Sequence, residues 1–250
     1  MIRVRLPNLS VNSFSGISNS PERLSVIFED RNGFIWARSI LGNLHRVDPV
    51  YGTVINFKEE GLMPQSARAV KNLVASNGDV WLIHSEGIQR MYYIDNDNPK
   101  IELQTFELTN WLQNNKVNDI FEDSNRNIWL ATNNSIIRLV IPTNEPYKAE
   151  PDVFCKGDVS YSVIYEFEQK IYFGGTKGNL CVYDIIKQKM NTDVEITDKL
   201  TGNISSISSN DFGTVLIGTE NCEMALVDTY NNEVEFFIGL PAYLPQSEII

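Results

Sequence analysis

Two histidines, His45 and His84, are the side chains of this 250-residue sequence whose ordinary pKa lies near neutrality. A Ser-His-Asp arrangement would need one of them as its base. His84 follows Trp81-Leu82-Ile83, and His45 sits in a short apolar run, so both read as strand residues and no triad assembles around them. Gly174-Gly175-Thr176-Lys177-Gly178-Asn179 has the glycines of a phosphate loop but lacks the G-x-x-x-x-G-K-[ST] spacing. It lies between two strands and reads as a strand end followed by a turn. A glycosidase needs only two carboxyl groups roughly 5–10 Å apart, and the 32 Asp and Glu residues leave room for such a pair. Asp30 and Asp123, however, occupy the same point of two near-identical segments, which marks them as turn formers. No catalytic residue is expected.

Cys155, Cys181 and Cys222 form no C-x-x-C pair, and their odd number argues against a dedicated disulfide framework. They are expected as small buried apolar residues; the other readings are one disulfide, or metal binding assisted by a histidine. No metal site and no cofactor is expected. Trp111, in Leu108-Thr109-Asn110-Trp111-Leu112-Gln113-Asn114-Asn115, falls outside the apolar alternation. It is either folded onto its own blade or a platform for a sugar ring or a neighbouring domain. Arg38, Arg68, His84, Asn133, Asn134, Tyr161 and Lys177 are further candidate ligand-binding residues, able to hydrogen-bond hydroxyl groups, and each has simple solvation as its alternative.

The elements that must position these residues are repeats. The segment Ser25-Val26-Ile27-Phe28-Glu29-Asp30-Arg31-Asn32-Gly33-Phe34-Ile35-Trp36 recurs as Val117-Asn118-Asp119-Ile120-Phe121-Glu122-Asp123-Ser124-Asn125-Arg126-Asn127-Ile128-Trp129. A third copy, Val70 to Trp81, lies between them, and Lys170-Ile171-Tyr172-Phe173-Gly174 and Thr214-Val215-Leu216-Ile217-Gly218 are weaker ones. Trp36, Trp81, Trp129, Tyr172 and Leu216 follow one another at 45, 48, 43 and 44 residues, a period of propeller blades and solenoids. Within the first copy, residues 24–29, 34–38, 44–47 and 53–57 are short strands separated by Asn, Asp and Gly turns. Apolar residues alternate with period two, and no stretch keeps the i, i+3, i+4, i+7 pattern of a helical repeat. The sequence therefore predicts an all-β fold, a β-propeller of about five recognisable four-stranded blades. The five repeated aromatic or leucine positions are expected to pack between neighbouring blades.

The motif V-x-x-I-x-E-D-x-x-G-x-I-W-x-x-T-x-x-G-L-x-R, clearest from Val117 to Leu139, resembles the two-component regulator propeller repeat. That resemblance implies a periplasmic sensor region of a hybrid two-component histidine kinase, found chiefly in glycan-degrading Bacteroidetes. It further implies an oligosaccharide ligand, other domains of the parent sensor as partners, and signalling chemistry outside this chain. Glu166-Phe167-Glu168-Gln169 lacks the Asp and Gly of the motif's turn, and Asn221-Cys222-Glu223-Met224 replaces its Gly-Leu.

Blades are expected at residues 19–60, 61–107, 108–150, 151–193 and 194–240, with partial blades at 1–18 and 241–250. Residues 239–250 echo Gly61-Leu62-Met63-Pro64-Gln65-Ser66, the approach to a new first strand, so the chain reads as a fragment of a larger propeller. Its edges would then be covered by closure or by pairing between molecules, a homodimer included. A net charge of −11 and the lack of a basic stripe exclude nucleic acid as the expected partner. No apolar run reaches the ~18 residues of a membrane span. The functional expectation is a non-enzymatic sensor module; the alternatives are a propeller lyase or hydrolase acting on glycans, or a protein-interaction scaffold.

Overall fold

The computed structural model describes residues 2–5, 10–13, 24–30, 32–39, 41–58, 60–61, 69–84, 87–93, 101–106, 116–140, 150–192, 199–210, 213–229 and 234–238. The chain divides into two compact units, residues 1–111 and 112–250.

In the first unit a hairpin, β1 (Ile2–Arg5) with β2 (Ser10–Ser13), is followed by two four-stranded sheets. One is β3 (Leu24–Glu29), β4 (Ile35–Ser39), β5 (Leu44–Val47) and β6 (Val54–Asn56). The other is β7 (Ala69–Val74), β8 (Val80–His84), β9 (Gly87–Tyr93) and β10 (Ile101–Phe106).

The second unit holds three more sheets. They are β11 (Val117–Glu122), β12 (Ile128–Thr132), β13 (Ile136–Val140) and β14 (Glu150–Phe154); then β15 (Tyr161–Phe167), β16 (Lys170–Gly175), β17 (Leu180–Asp184) and β18 (Lys189–Asn191); then β19 (Ile204–Ser209), β20 (Thr214–Thr219), β21 (Glu223–Asp228) and β22 (Val234–Ile238). Every four-stranded sheet is an antiparallel meander in sequence order, the form of a propeller blade. β14 runs across residue 150, where the repeat spacing sets a boundary, because Glu150–Phe154 pairs with β13 in the third sheet.

The turn between the first two strands of a blade explains the sequence motif. Asp30 accepts hydrogen bonds at Oδ1 from the N–H groups of Asn32 and Phe34, each at 3.0 Å, and at Oδ2 from the indole Nε1 of Trp36 at 2.8 Å. Asp123 repeats this with Asn125 at 2.9 Å, Asn127 at 2.8 Å and Trp129 Nε1 at 2.7 Å. Asp30 and Asp123 are each 4% exposed, so one buried side chain closes the turn and orients the tryptophan six residues on. The second sheet has Ala75 in that slot. Its Asp79 instead accepts from Arg90 Nε at 2.7 Å, while the Arg90 guanidinium lies 5.6 Å from the Trp81 ring.

Three residues after the aspartate slot every blade has a residue at positive φ: Gly33 at 80°, Gly78 at 87°, Arg126 at 66°, Gln169 at 62° and Gly213 at 80°. Glycine adopts this region without strain, whereas Arg126 and Gln169 carry a Cβ into it. The fourth repeat, without the glycine, closes a shorter turn: Phe167 pairs with Lys170, and both intervening residues, Glu168 at 47° and Gln169 at 62°, have positive φ.

Each first strand also carries an irregularity in register at its second residue: between Leu24/Val26, Ala69/Lys71, Val117/Asp119, Tyr161/Val163 and Ile204/Ser206. A bulge bends its strand and raises the local twist. Its recurrence in the fourth and fifth sheets shows that the degenerate repeats keep the geometry of the others.

The core lies between adjacent sheets within each unit. Trp36, Leu44 and Phe57 pack with Val80, Leu82 and Met91. Trp129, 0% exposed, packs against Phe173 and Tyr183 of the next sheet with ring centroids 5.3 and 4.8 Å apart. Tyr172 joins Ile204, Ile207, Val215 and Ile217 of the fifth sheet. Trp36, Trp81, Trp129 and Tyr172 are buried as expected; Leu216 is half-buried, paired with Ser208 and Leu226 of its own sheet. Gly174 lies where the fourth and fifth sheets approach so closely that a Cβ would overlap Ile204.

Removing the Asp123 carboxyl leaves a buried indole N–H and two turn N–H groups without their acceptor. Asp123→Ala is expected to lower stability by about 3 kcal/mol in urea denaturation followed by tryptophan fluorescence. Arg126→Gly, which relieves a left-handed backbone, is expected to raise stability by roughly 0.5–1 kcal/mol in the same assay.

Candidate functional site

In the second unit the turns between the second and third strands of successive sheets gather polar side chains at one end of the blades. Asn133 and Asn134 form that turn in the third sheet. The Asn133 side chain accepts from Lys116 N–H at 2.9 Å, and its own N–H donates to Lys116 O at 3.1 Å, which fixes the chain just ahead of β11. Asn134 O accepts from Gly157 N–H at 3.0 Å. In the fourth sheet the turn is a single 3₁₀ turn, Thr176–Gly178, with Lys177 at φ 56°. Lys177 N–H donates to Asn203 Oδ1 at 3.2 Å, and Asn203 Nδ2 donates to Glu220 Oε2 at 2.8 Å in the corresponding turn of the fifth sheet. Gly178, at φ 68°, sits against Leu200, where a Cβ would overlap the Leu200 carbonyl. The glycine-rich run is therefore a strand end and turn shaped by its neighbour, as its spacing predicts.

Glu223 anchors this end of the fifth sheet. Its carboxylate accepts from Thr201 Oγ1 at 2.6 Å, Gly202 N–H at 2.8 Å, Thr201 N–H at 2.9 Å and Thr219 Oγ1 at 3.2 Å. The Thr201 hydroxyl foremost, then the Gly202 N–H, holds its pKa below the ordinary glutamate value. What stays exposed on this end includes Lys116, Asn133, Lys177 and Glu220, groups that donate to and accept from hydroxyls.

A cleft of about 230 Å³ opens beside the third and fourth sheets, away from those turns, lined in part by Asn125, Asn127, Arg138, Tyr183 and Gln188. Arg138 is held on both sides, donating to Tyr183 Oη at 2.6 Å and to Asp152 Oδ2 through Nε at 3.1 Å, and it lies 5.6 Å from the Trp129 ring. The volume falls below the roughly 300–1,000 Å³ of pockets that enclose drug-sized ligands. It is of a size to admit a single small ring or a side chain.

The sequence model of the Two component regulator propeller family matches residues 112–134, which span the first two strands of the third sheet and the Asp123 turn. Residues 112–134 are similar to a two-component regulator propeller repeat. No curated protein matches the chain in sequence. Among solved structures, the computationally designed protein Ika8 has a TM-score of 0.61 at 9% identity, over 86% of this chain and 61% of that one. BamB from Moraxella catarrhalis gives 0.53 at 11% identity, over 88% and 63%. An extracellular domain assigned to the hybrid two-component system BT4673 of B. thetaiotaomicron gives 0.46 at 15% identity, over 89% and 34%. The fold is a β-propeller. The chain spans 61% of the length of Ika8 and 34% of that of the BT4673 domain.

The regulator repeat frames the remaining candidates. Position three after the repeat's tryptophan is Ser39, His84, Thr132, Gly175 or Thr219 in the successive blades. Ser39 Oγ accepts from Asn43 N–H at 3.1 Å, Thr132 Oγ1 from Ser135 N–H at 2.9 Å and Thr219 Oγ1 from Glu223 N–H at 3.2 Å. His84 occupies this turn-bonding slot and is buried at the end of β8. His45, in β5, is buried as well. Arg38 is half-buried in β4 opposite Leu44, and burial lowers its pKa. Tyr161 is buried, its hydroxyl 3.1 Å from Cys181 Sγ. Arg68 and Trp111 lie outside the described residues.

Asn133, Asn134 and Lys177 are thus brought to one end of the second unit, while Arg38 and His84 belong to the first. The expectation of three buried cysteines holds for Cys181 alone. Cys155 is half-buried, and Cys222 is exposed because it lies in the turn between β20 and β21. Among the described residues no group of three or more His, Cys, Asp or Glu is placed to hold a metal, and no helix is long and apolar enough to cross a membrane.

The arginine that ends the sequence motif was given no role from sequence: Arg46, Arg90 and Arg138 stand directly opposite Trp36, Trp81 and Trp129 on the third strands. Its signal was present as an Arg nine or ten residues after each tryptophan.

A folded-state pKa below the unfolded value means that Glu223 stabilises the fold fully above the ordinary glutamate pKa of about 4.3 and loses that contribution as pH falls through its depressed folded value. Glu223→Gln is expected to cost about 1–3 kcal/mol at pH 7 and to flatten the acid side of the stability profile, measured by urea denaturation at stepped pH.

Proposed function

We propose that this chain is a non-enzymatic ligand-recognition module of a two-component signalling protein, working in the periplasm or outside the cell and recognising a neutral oligosaccharide. The observation that carries the reading is the regulator repeat at residues 112–134, set in a β-propeller blade. The polar end of the second unit supports it, offering amide, amine and carboxylate groups on turns whose backbones are held by Asn133, Asn203 and Glu223. Turns fixed in this way present their side chains at low entropic cost. The net charge of −11 favours a neutral ligand over an anionic glycan. Trp111 and Arg68 remain candidates for the same ligand. Binding would signal by favouring one arrangement of the parent protein's domains, since a ligand shifts an equilibrium only by its differential affinity for two states. The kinase chemistry lies in other parts of the parent protein.

Isothermal calorimetry of the chain against neutral plant and host oligosaccharides tests this. The expected result is saturable binding that weakens at least tenfold in Asn133→Ala/Lys177→Ala and in Trp111→Ala, with the fold retained by circular dichroism. Turnover of the glycan would favour a lyase or hydrolase. Absence of binding, with capture of a protein partner through the same turns, would favour a scaffold.

A further inference from the structure

The fold places the thiol side chains of Cys155 and Cys181 in contact. Cys155 follows β14 at the edge of the third sheet, and Cys181 lies in β17 of the fourth. Their Sγ atoms are 3.1 Å apart although 26 residues separate them in the chain. A disulfide bond is about 2.05 Å long, so closing this one takes about 1 Å of movement. Cys155 has φ 49°, a left-handed conformation for a residue with a Cβ. Cys181 is 4% exposed within the core formed by Trp129, Phe173 and Tyr183, and the half-buried Cys155 packs against that core. The Tyr161 hydroxyl, itself buried, lies 3.1 Å from Cys181 Sγ. Cys222 belongs to a turn of the fifth sheet and is exposed.

We propose that Cys155 and Cys181 are a disulfide-forming pair that covalently joins the third and fourth sheets, with a low-molecular-weight or protein disulfide as oxidant. Cys155, the more accessible sulfur, loses its proton to solvent and attacks one sulfur of the oxidant. The oxidant's S–S bond breaks, and one thiol leaves after taking up a proton. Cys181 Sγ then attacks Cys155 Sγ, forming the intramolecular bond, and the second thiol leaves with the proton that Cys181 gives up. The protein has lost two electrons and two protons, and the oxidant has become two thiols.

The arrangement favours the second step. In the reduced pair Cys155 S–H and then Tyr161 O–H donate to Cys181 and lower its pKa, whereas the bond to Cys181 and burial raise that of Cys155, so exposure rather than acidity makes Cys155 the sulfur that meets the oxidant. Once Cys155 is in the mixed disulfide it has no proton to donate, and the Tyr161 hydroxyl, 3.1 Å from Cys181 Sγ, remains as the donor to the attacking thiolate. The bond would add a covalent link to an interface whose non-covalent contacts include Trp129–Tyr183 packing and the Arg138–Tyr183, Asn118–Tyr161 and Ser124–Glu166 hydrogen bonds.

The full 250-residue chain, equilibrated in glutathione buffers running from wholly reduced to wholly oxidised, tests the pair. Free thiols are blocked with iodoacetamide, and the protein is digested without reductant for mass spectrometry. The expected result is loss of two of the three thiols at the oxidising end, one linked peptide pair containing Cys155 and Cys181, and Cys222 alkylated throughout. The oxidised chain should melt roughly 5 °C or more above the reduced chain. Cys155→Ser should abolish that shift while its reduced form keeps the wild-type circular dichroism. Three alkylated thiols at the oxidising end, a glutathione adduct left unresolved on Cys155, or a link through Cys222 would overturn the proposal.

Discussion

A buried carboxyl group that accepts from the backbone of its own turn and from an indole six residues later is the contact on which the best-formed blades depend. In the first and third sheets, Asp30 and Asp123 each bind two backbone N–H groups with one oxygen and a tryptophan Nε1 with the other. The turn is thereby closed and the large ring is oriented by the same side chain. A hydrogen bond to a charged acceptor is worth about 1.5–3 kcal/mol, and a buried indole N–H without a partner costs a comparable amount. The ring then provides the apolar surface against which the next sheet packs.

Where this contact is absent, other groups cover its parts. Asp79 and Arg90 form a buried ion pair beside Trp81 in the second sheet. In the fourth, Tyr172 stands opposite Val182, and Glu166 turns outward to accept from Ser124 N–H of the preceding sheet at 2.8 Å. In the fifth, Asn210 accepts from Thr214 N–H at 3.0 Å, and Leu216 stands opposite Leu226. The positive-φ turn residue and the irregularity in the first strand survive in all five sheets. The blade is thus specified by backbone geometry and inter-sheet packing more tightly than by its signature residues.

This explains what was legible in the sequence. The recurrence of Trp36, Trp81 and Trp129 and the Asn-Gly turns located the blades, because period and turn chemistry are local properties. The repeat arithmetic likewise placed Asn133, Asn134 and Lys177 on strand-connecting turns. It left open whether those side chains face solvent or hold a neighbouring strand, as Asn133 does, because that depends on the next sheet. For the same reason His84 looked chemical, yet alignment of the blades shows it standing where Ser39, Thr132 and Thr219 bond their own turns. The contact between Cys155 and Cys181 was the least legible feature. It arises between two different strands of two different repeats, neither of which carries a cysteine in the other copies.

The bonds from the aspartate to its turn and its tryptophan lie within about seven residues of one blade, and in the third blade Glu166 of the next sheet adds one to Ser124 N–H. A segment of that kind can be copied or deleted as a whole during gene duplication without unmaking its neighbours' turns. The connections between strands are then free to drift in length, as the uneven 43- to 48-residue spacing records.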